Sequence, residues 1–207
     1  DRRKQEIERK PALYSRLRKA AERQGPTYVK LAQLISAAEG VFPEALVEEC
    51  RRCRDRVEPE SWPTIKKVLT RELGPIWETF TSIRERPLAS ASIAQVHEAE
   101  LLDGTPVVVK VQRPGIRRKV TADLRVLAWV APRLVGKIPI AALSNPPALV
   151  ELFAETICEE LDFKLEVANL FEVDRALRAN PRHNWEVPSP VLDLVTERVI
   201  VMSRVGG

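Results

Sequence analysis

The sequence is poor in cysteine, in aromatic residues and in long apolar runs. Three cysteines occur among 207 residues, and aromatic residues make up 5% of the chain. A small and odd number of cysteines argues against a disulfide framework and is typical of a reducing compartment. With so few aromatic side chains and no nucleic-acid reader motif, we expect no nucleic acid among the partners.

The chain also lacks the pattern of a signal peptide or of a membrane span. Its most apolar stretch, residues 126–143, is interrupted by Pro132, Arg133, Lys137 and Pro139. Such a stretch cannot cross a bilayer in one piece. We therefore expect a soluble fragment on the cytoplasmic side, with peripheral membrane association as an alternative.

Metal-binding patterns are equally scarce. Cys50 and Cys53 form a CxxC, but it lies in a segment with helical spacing and no second CxxC accompanies it. A structural zinc site needs four ligands, so two thiols on a helix are the better interpretation. We predict no metal ligands in this chain.

What the chain does have is a mild excess of positive charge, +4 in total. The basic residues gather in residues 2–24 and 113–119, and such patches suit phosphate groups or anionic lipid. The first segment carries one narrow apolar stripe at helical spacing. It fits either a surface helix of the fold or a basic helix lying on an anionic membrane.

The first third of the chain is predicted to be helical. Apolar residues recur at helical spacing, with glycine or proline at most of the boundaries, and predict helices at 1–24, 26–36, 44–56 and 62–73. We assign residues 1–75 to a helical extension. Residues 76–207 form a mixed region, with further helices predicted at 116–134 and 146–179, which makes the fold class α+β.

The rest of the chain is organised around a hairpin between Pro87 and Pro114. It is preceded by four small residues, here called the alanine–serine loop: Ala89, Ser90, Ala91 and Ser92. Small side chains let the backbone approach a ligand. Asp103-Gly104 provides the hairpin turn, because glycine accepts the positive φ that a tight turn requires. We expect a first strand near Phe80 and Ile83.

Lys110 is the unusual residue of this hairpin, since it interrupts the apolar run Val107–Val111. A lysine in such a run needs a carboxylate or a phosphate partner, unless it belongs to an ordinary hairpin and reaches solvent. A small-residue loop, a hairpin and a lysine in V-x-V-K together match the upper half of a kinase-type nucleotide site.

The departure from the kinase pattern is itself informative, since alanine and serine stand where protein kinases have glycine. With VHEAELLDGTPVVVKVQRPGI after it, this segment resembles the UbiB-type (aarF-domain) atypical kinase family, in which an alanine-rich loop replaces the glycine-rich one. The resemblance implies a kinase-like amino-terminal lobe, with a small antiparallel sheet of about five strands and a helix C.

A second element of the resemblance lies in the helical extension. Lys30-Leu31-Ala32-Gln33 follows Gly25-Pro26-Thr27 and resembles the family's Lys-x-Gly-Gln signature, with Ala32 in place of glycine. Alanine favours a helix over glycine, so we expect the element to remain helical. In the family it folds over the nucleotide cleft, which implies a role in the site for Lys30 and Gln33.

A third element lies in the predicted helix 146–179. Its EELDFKLEVAN resembles the family's Glu-x-Asp segment, with Glu160 and Asp162 in the motif positions and Glu166 in the place of the helix-C glutamate. At helical spacing Glu159, Asp162 and Glu166 share one face. We expect Lys110 to pair with Glu166 first and Glu160 second. For Lys30 the expected partner is Glu160 or Asp162.

The last segment predicts two strands, at 187–192 and 199–202. The resemblance places residues 202–205 at the hinge that receives adenine through backbone groups, with Ser203 where the family usually has an acid. The implied cofactor is ATP or ADP with Mg²⁺. Its predicted contacts are the alanine–serine loop, Val108, Lys110, Met202, Ser203 and Arg204.

No catalytic-loop or metal-binding motif of the lower kinase lobe occurs in the sequence, and phosphoryl transfer depends on both. We therefore expect the upper lobe alone, ending at the hinge, to be inactive. The resemblance implies an ATP-binding atypical kinase or ATPase linked to isoprenoid quinone or lipid metabolism, with anionic or isoprenoid lipid as a further partner. The alternative is a non-catalytic kinase-like scaffold that binds a lipid membrane or a partner protein. The sequence leaves the oligomeric state open.

Overall fold

The structure, a computed structural model, describes residues 2–38, 40–53, 57–135, 145–179 and 185–205, with side chains from residue 12 onward. The helices are α1 (Arg2–Gln24), α2 (Pro26–Ala37), α3 (Glu44–Arg51), α4 (Trp62–Leu73), α5 (Ile116–Leu134), α6 (Pro146–Glu160) and α7 (Phe163–Arg178). The strands are β1 (Phe80–Ile83), β2 (Ala89–Ser90), β3 (Ala94–Leu101), β4 (Pro106–Gln112) and β5 (Val199–Ser203). The predicted α+β class is confirmed.

The chain divides into two compact units, of which the first comprises Asp1–Arg56 and Arg117–Ile157. In it α1, α2 and α3 pack around one buried cluster: Tyr14, Val29, Ala32, Phe42, Leu46, Val47, Cys50 and Cys53. The buried hydroxyl of Thr27 donates to the carboxylate of Asp123 over 2.6 Å, which ties α2 to α5. Helices thus dominate this unit.

The second unit comprises Val57–Ile116 and Cys158–Gly207. Its antiparallel sheet has the order β1-β3-β4-β5, with β2 added on β3. β3 and β4 form the predicted hairpin, and Gly104 at its turn has a φ of 83°. In β4 the side chains alternate, so that Val107, Val109 and Val111 enter the core while Val108 and Lys110 lie on the other face.

The core of this unit lies between the sheet and α4. Ile65 and Leu69 of α4 are fully buried against the three inward valines of β4 and against Phe80 of β1. Because α4 packs on the sheet, the boundary between the two units does not follow the predicted division at residue 75. The predicted bounds of α4 and α5 are those observed.

The single helix predicted over 146–179 is wrong, because the chain breaks between α6 and α7. Asp162 has an extended backbone (φ −119°, ψ 100°) and caps α7, its carboxylate accepting from the N–H of Lys164 at 3.0 Å. Aspartate at this position competes for the backbone and favours a helix start. Glu159, Asp162 and Glu166 therefore do not share one helical face.

Two further boundaries differ from expectation. α3 ends at Arg51, and residues 54–56 of the predicted helix lie outside the described residues. The strand predicted at 187–192 is reduced to one bridge between Pro190 and Met202, followed by a 3₁₀ turn at Leu192–Leu194. Pro188 and Pro190 lack the N–H that a strand ladder needs, which accounts for this loss.

Candidate functional site

Lys110 and Glu166 form the centre of the candidate site, as the sequence predicted. The ammonium of Lys110 donates to both carboxylate oxygens of Glu166, over 2.6 and 2.7 Å. Lys110 comes from β4 and Glu166 from the first turn of α7, so the pair joins the sheet to this helix. The lysine also lies 4.8 Å from the centre of the Phe163 ring, which adds a cation–π contact.

Exposure determines what this ion pair can do. The side chains of Lys110 and Glu166 are 26% and 36% exposed, so the pair is partly screened and contributes about 1 kcal/mol or less to stability. The alternative of a lysine that simply reaches bulk water is thereby wrong. Glu166 thus holds the ammonium of Lys110 at a fixed and partly exposed position, where it can also meet an anionic group.

The alanine–serine loop lies beside this face and is held by backbone contacts. Ala89 and Ser90 form β2, paired with Val96 and Gln95 of β3, and the N–H of Ala91 donates to the carbonyl of Ala94 over 2.9 Å. Ser92 is fully buried. The loop therefore consists of a short, paired strand and a tight turn, with the side chain of Ser92 turned into the protein.

Arg113 is a residue of the site that sequence reasoning missed. In the sequence it belongs to the basic patch 113–119, but its side chain is only 8% exposed. The guanidinium reaches the alanine–serine loop and the segment before α4, donating to Ser90, Ala91, Glu58 and Glu60. Its place directly after a buried strand and before a proline was the available signal.

The predicted hinge residues continue β5. Met202 pairs with Val108 of β4, which places the two predicted contacts side by side on the sheet. The N–H of Ser203 donates to the carbonyl of Ser189 over 2.9 Å, and the Ser203 hydroxyl accepts from the N–H of Ser189 over 2.8 Å. The N–H and the hydroxyl of Ser203 are thus already engaged within the protein.

The side chain of Arg204 is held by a second residue that the sequence did not suggest. Its guanidinium lies 2.9 Å from the carboxylate of Glu98, which is nearly buried in β3 and also pairs with Arg84 at 2.5 Å. Glu98 faces Val108 across the strands. The ion pairs of Glu98 with Arg84 and Arg204 therefore lie next to Val108, one of the predicted adenine contacts.

The other predicted acids occupy different positions. Glu160 is exposed at the end of α6, and the carboxylate of Asp162 caps α7. Lys30 and Gln33 lie on α2 in the first unit, and Ala32 between them is buried, so the signature segment is helical as predicted. The pairing of Lys30 with Glu160 or Asp162, and the role of these residues in the site, stay predictions.

A buried polar chain runs along β3 on the opposite face from Lys110. His97 lies 2.8 Å from the Gln95 side chain and 2.8 Å from the carbonyl of Arg84, and the Trp62 ring packs against its ring at a tilt of 50°. The Gln95 side-chain oxygen accepts from the N–H of Glu60 over 2.9 Å. Burial lowers the pKa of His97, so the imidazole is held neutral.

Neither a metal site nor a membrane span is evident in the part of the chain that the structure describes. No group of three or more histidine, cysteine and acidic residues there could hold a metal ion. Cys50 and Cys53 are both buried, and burial raises the pKa of Cys50 to about 11. Among the same residues no helix is both long and apolar enough to cross a bilayer.

Comparison with known proteins gives a consistent set of matches. Residues 52–207 match the ABC1 atypical kinase-like domain. An uncharacterized protein of Mycobacterium tuberculosis, Rv0647c, is 44% identical over 189 residues, covering 88% of this chain and 38% of the relative. The probable protein kinase UbiB of Vibrio cholerae is 37% identical over 201 residues, covering 95% of this chain and 36% of the relative.

A solved structure also matches. The complex of Rv3197 with erythromycin from Mycobacterium tuberculosis is 30% identical, with a TM-score of 0.55, covering 72% of this chain and 37% of the other. The chain thus spans less than two fifths of the length of these proteins.

Proposed function

The chain belongs to the ABC1 atypical kinase-like family, and from this premise we propose that it forms the upper, nucleotide-binding lobe of a UbiB-type atypical kinase or ATPase. The observation that carries the proposal is the Lys110–Glu166 pair. Lysine at this position in a kinase-like sheet, held by an acid on the packed helix, is the arrangement that positions nucleotide phosphates.

The residues around Lys110 fit ATP or ADP. Small side chains in the alanine–serine loop let backbone groups approach the phosphates, and Lys110 supplies a fixed positive charge beside them. Val108 and Met202 form an apolar surface suited to an adenine ring, with Arg204 at its border. Bound ATP supplies the phosphoryl group, and these residues hold and orient it.

The use of ATP also requires a metal ion, and these residues do not supply its ligands. ATP is used with Mg²⁺, whose ligands in kinases come from the lower lobe, and the described residues offer no metal cluster of their own. We propose that the lower lobe supplies the metal ligands and the groups that orient the acceptor. The upper lobe alone then binds nucleotide weakly and has no turnover.

The wider role of the protein follows from its relatives. The name UbiB, carried by relatives of 35% and 37% identity, implies a link to ubiquinone metabolism. We propose a role of the same kind here, in isoprenoid quinone or lipid metabolism, with peripheral contact to anionic or isoprenoid lipid at a membrane. The basic patches favour such contact, and nucleic acid is not among the proposed partners.

The experiment is a titration of MgATP into the chain extended through its lower lobe, by calorimetry, with a parallel measurement of hydrolysis. Lys110→Met and Glu166→Gln should each weaken binding about tenfold or more, because each breaks the ion pair that positions the phosphates. Lys164→Met is the matched control, since Lys164 is exposed on the same helix as Glu166.

Unchanged affinity in both variants would overturn the proposed site. If the extended protein neither binds nor hydrolyses MgATP, the alternative of a non-catalytic scaffold for a membrane or a partner protein takes its place.

A further inference from the structure

We propose that Arg113 is a positioning residue that fixes the alanine–serine loop and thereby sets the position of the loop backbone against a bound nucleotide. The juxtaposition that points to it is a nearly buried guanidinium bonded to this loop on one side and to the segment before α4 on the other. The inference rests on the proposed function for its nucleotide part, whereas the fixing of the loop can be tested without any ligand.

The contacts of Arg113 use most of its hydrogen-bonding capacity. Its Nε donates to the carbonyl of Ala91 over 2.8 Å, and its Nη2 donates to the hydroxyl of Ser90 over 2.8 Å and to the carbonyl of Glu58 over 2.6 Å. Its Nη1 donates to the carboxylate of Glu60 over 3.0 Å. A planar fork with several donors can bridge two segments in this way, whereas a lysine cannot.

The loop depends on such an anchor, because its own structure is slight. β2 is only two residues long, and side chains no larger than serine contribute little apolar packing. The N–H of Arg113 also donates to the carbonyl of Ile93 over 2.9 Å, just after the loop. Backbone and side chain of one residue thus hold both ends of the same turn.

The charge of Arg113 is satisfied within the protein. Glu60 neutralises it, and the side chain is almost inaccessible. Arg113 therefore does not bind phosphate itself, although it belongs to a basic segment of the sequence. Its influence on a ligand must pass through the groups that it holds.

The backbone of the alanine–serine loop is the part through which this influence acts. Ser90 pairs with Gln95 of β3, whose side chain lies on the face of the sheet that does not carry Lys110, so the Ser90 hydroxyl that accepts from the guanidinium lies on that face as well. Arg113 therefore holds the loop from behind and fixes the course of its backbone beside the face that carries Lys110.

The first test is hydrogen exchange of the ligand-free protein that carries both lobes. Arg113→Lys keeps the charge but loses the fork, and should raise exchange in residues 89–94 by about tenfold, with β4 and β5 unchanged. Glu60→Gln should raise it in the same residues by a smaller factor. Arg86→Lys is the matched control, since Arg86 is an exposed arginine just before the loop.

The second test is a double-variant cycle read out as the dissociation constant for MgATP. Ser90→Ala and Arg113→Lys should each weaken binding by about five- to tenfold, and together no more than the stronger variant alone, because they interrupt the same interaction. Residues that act only by supporting the fold would instead give effects that follow thermal stability.

Each possible result of the two tests bears on a different part of the proposal. Unchanged exchange in residues 89–94, or a rise spread equally over β3, β4 and β5, would overturn the positioning of the loop by Arg113. Additive effects in the cycle, or none, would overturn the anchoring of the loop through the Arg113–Ser90 bond. If the unsubstituted protein does not bind MgATP, the proposed function fails, and the nucleotide part of this inference fails with it, while the exchange result still decides whether Arg113 holds the loop.

Discussion

Two basic side chains at the end of β4 are used in opposite ways, although they stand only three positions apart. Arg113 is nearly buried and donates to four different residues, so its side-chain hydrogen bonds join parts of the protein to one another. Lys110 has one acidic partner and remains 26% exposed. Burial and the number of internal bonds thus distinguish a charge that supports the fold from one that can meet a ligand.

The largest expected effect is the loss of the buried side chain. Arg113→Ala removes the partner of Glu60 and leaves the carbonyls of Ala91 and Glu58 without their donor, so we expect a loss of about 2–4 kcal/mol in the free energy of unfolding. Urea unfolding followed by circular dichroism measures it. A loss below about 1 kcal/mol would place Arg113 in the same class as Lys110 and end the contrast.

The next effect concerns the helix that carries the acidic partner of Lys110. Asp162→Ala removes the cap of α7 and should cost about 1 kcal/mol, whereas Asp162→Asn should retain most of the stability because asparagine also caps. The same unfolding measurement applies. Equal losses in the two variants would contradict a capping role and would favour the charge of Asp162 as the important property.

Lys110 itself should matter little for stability. Lys110→Met keeps most of the apolar length of the side chain and its packing on Phe163, and it removes a partly exposed ion pair, so we expect a change below about 1 kcal/mol. The affinity for MgATP should fall in the same variant. A large loss of stability without loss of affinity would show that Lys110 supports the fold and does not meet the ligand, which contradicts the contrast with Arg113.

The smallest expected effect is a pH dependence of stability that comes from His97. This side chain is buried like that of Arg113, but it can lose its proton and become neutral. Because burial lowers its pKa below the ordinary value of 6.5, the unfolded chain takes up a proton first as the pH falls. Stability is therefore full above about pH 6.5 and declines below it, down to the lowered pKa. Unfolding midpoints from about pH 7 to about pH 5 should decline less in His97→Asn, and identical slopes would contradict this.

Much of this arrangement could be predicted from residue patterns. The hairpin followed from Asp103-Gly104 between apolar runs, and the need of Lys110 for an anionic partner followed from the cost of leaving an ammonium in a β-strand without a counter-charge. The choice of Glu166 as that partner came from the family resemblance. The bounds of α4 were set by Gly74 and by the apolar spacing before it. Local signals of this kind are strong because each depends on a few neighbouring residues.

The missed features all depend on contacts between distant segments. The break at Asp162 is fixed partly by Gln112, whose side-chain amide donates to the carbonyls of Leu161 and Glu197. Periodicity cannot show such a contact, so the two helices were predicted as one. Arg113 and Glu98 were missed for the same reason, since only the folded sheet brings their partners near.

The alternation in β4 has one more consequence, for the accuracy of folding. A shift of this strand by one position would exchange its two faces, driving the ammonium of Lys110 into the space now filled by Val109 and Val111. Such a misaligned sheet would bury a charge without a counter-ion, at a cost of several kcal/mol. Lys110, which is proposed to meet phosphate, therefore also favours the correct register of β4. A neutral residue at this position would lower the free-energy cost of the misaligned sheet.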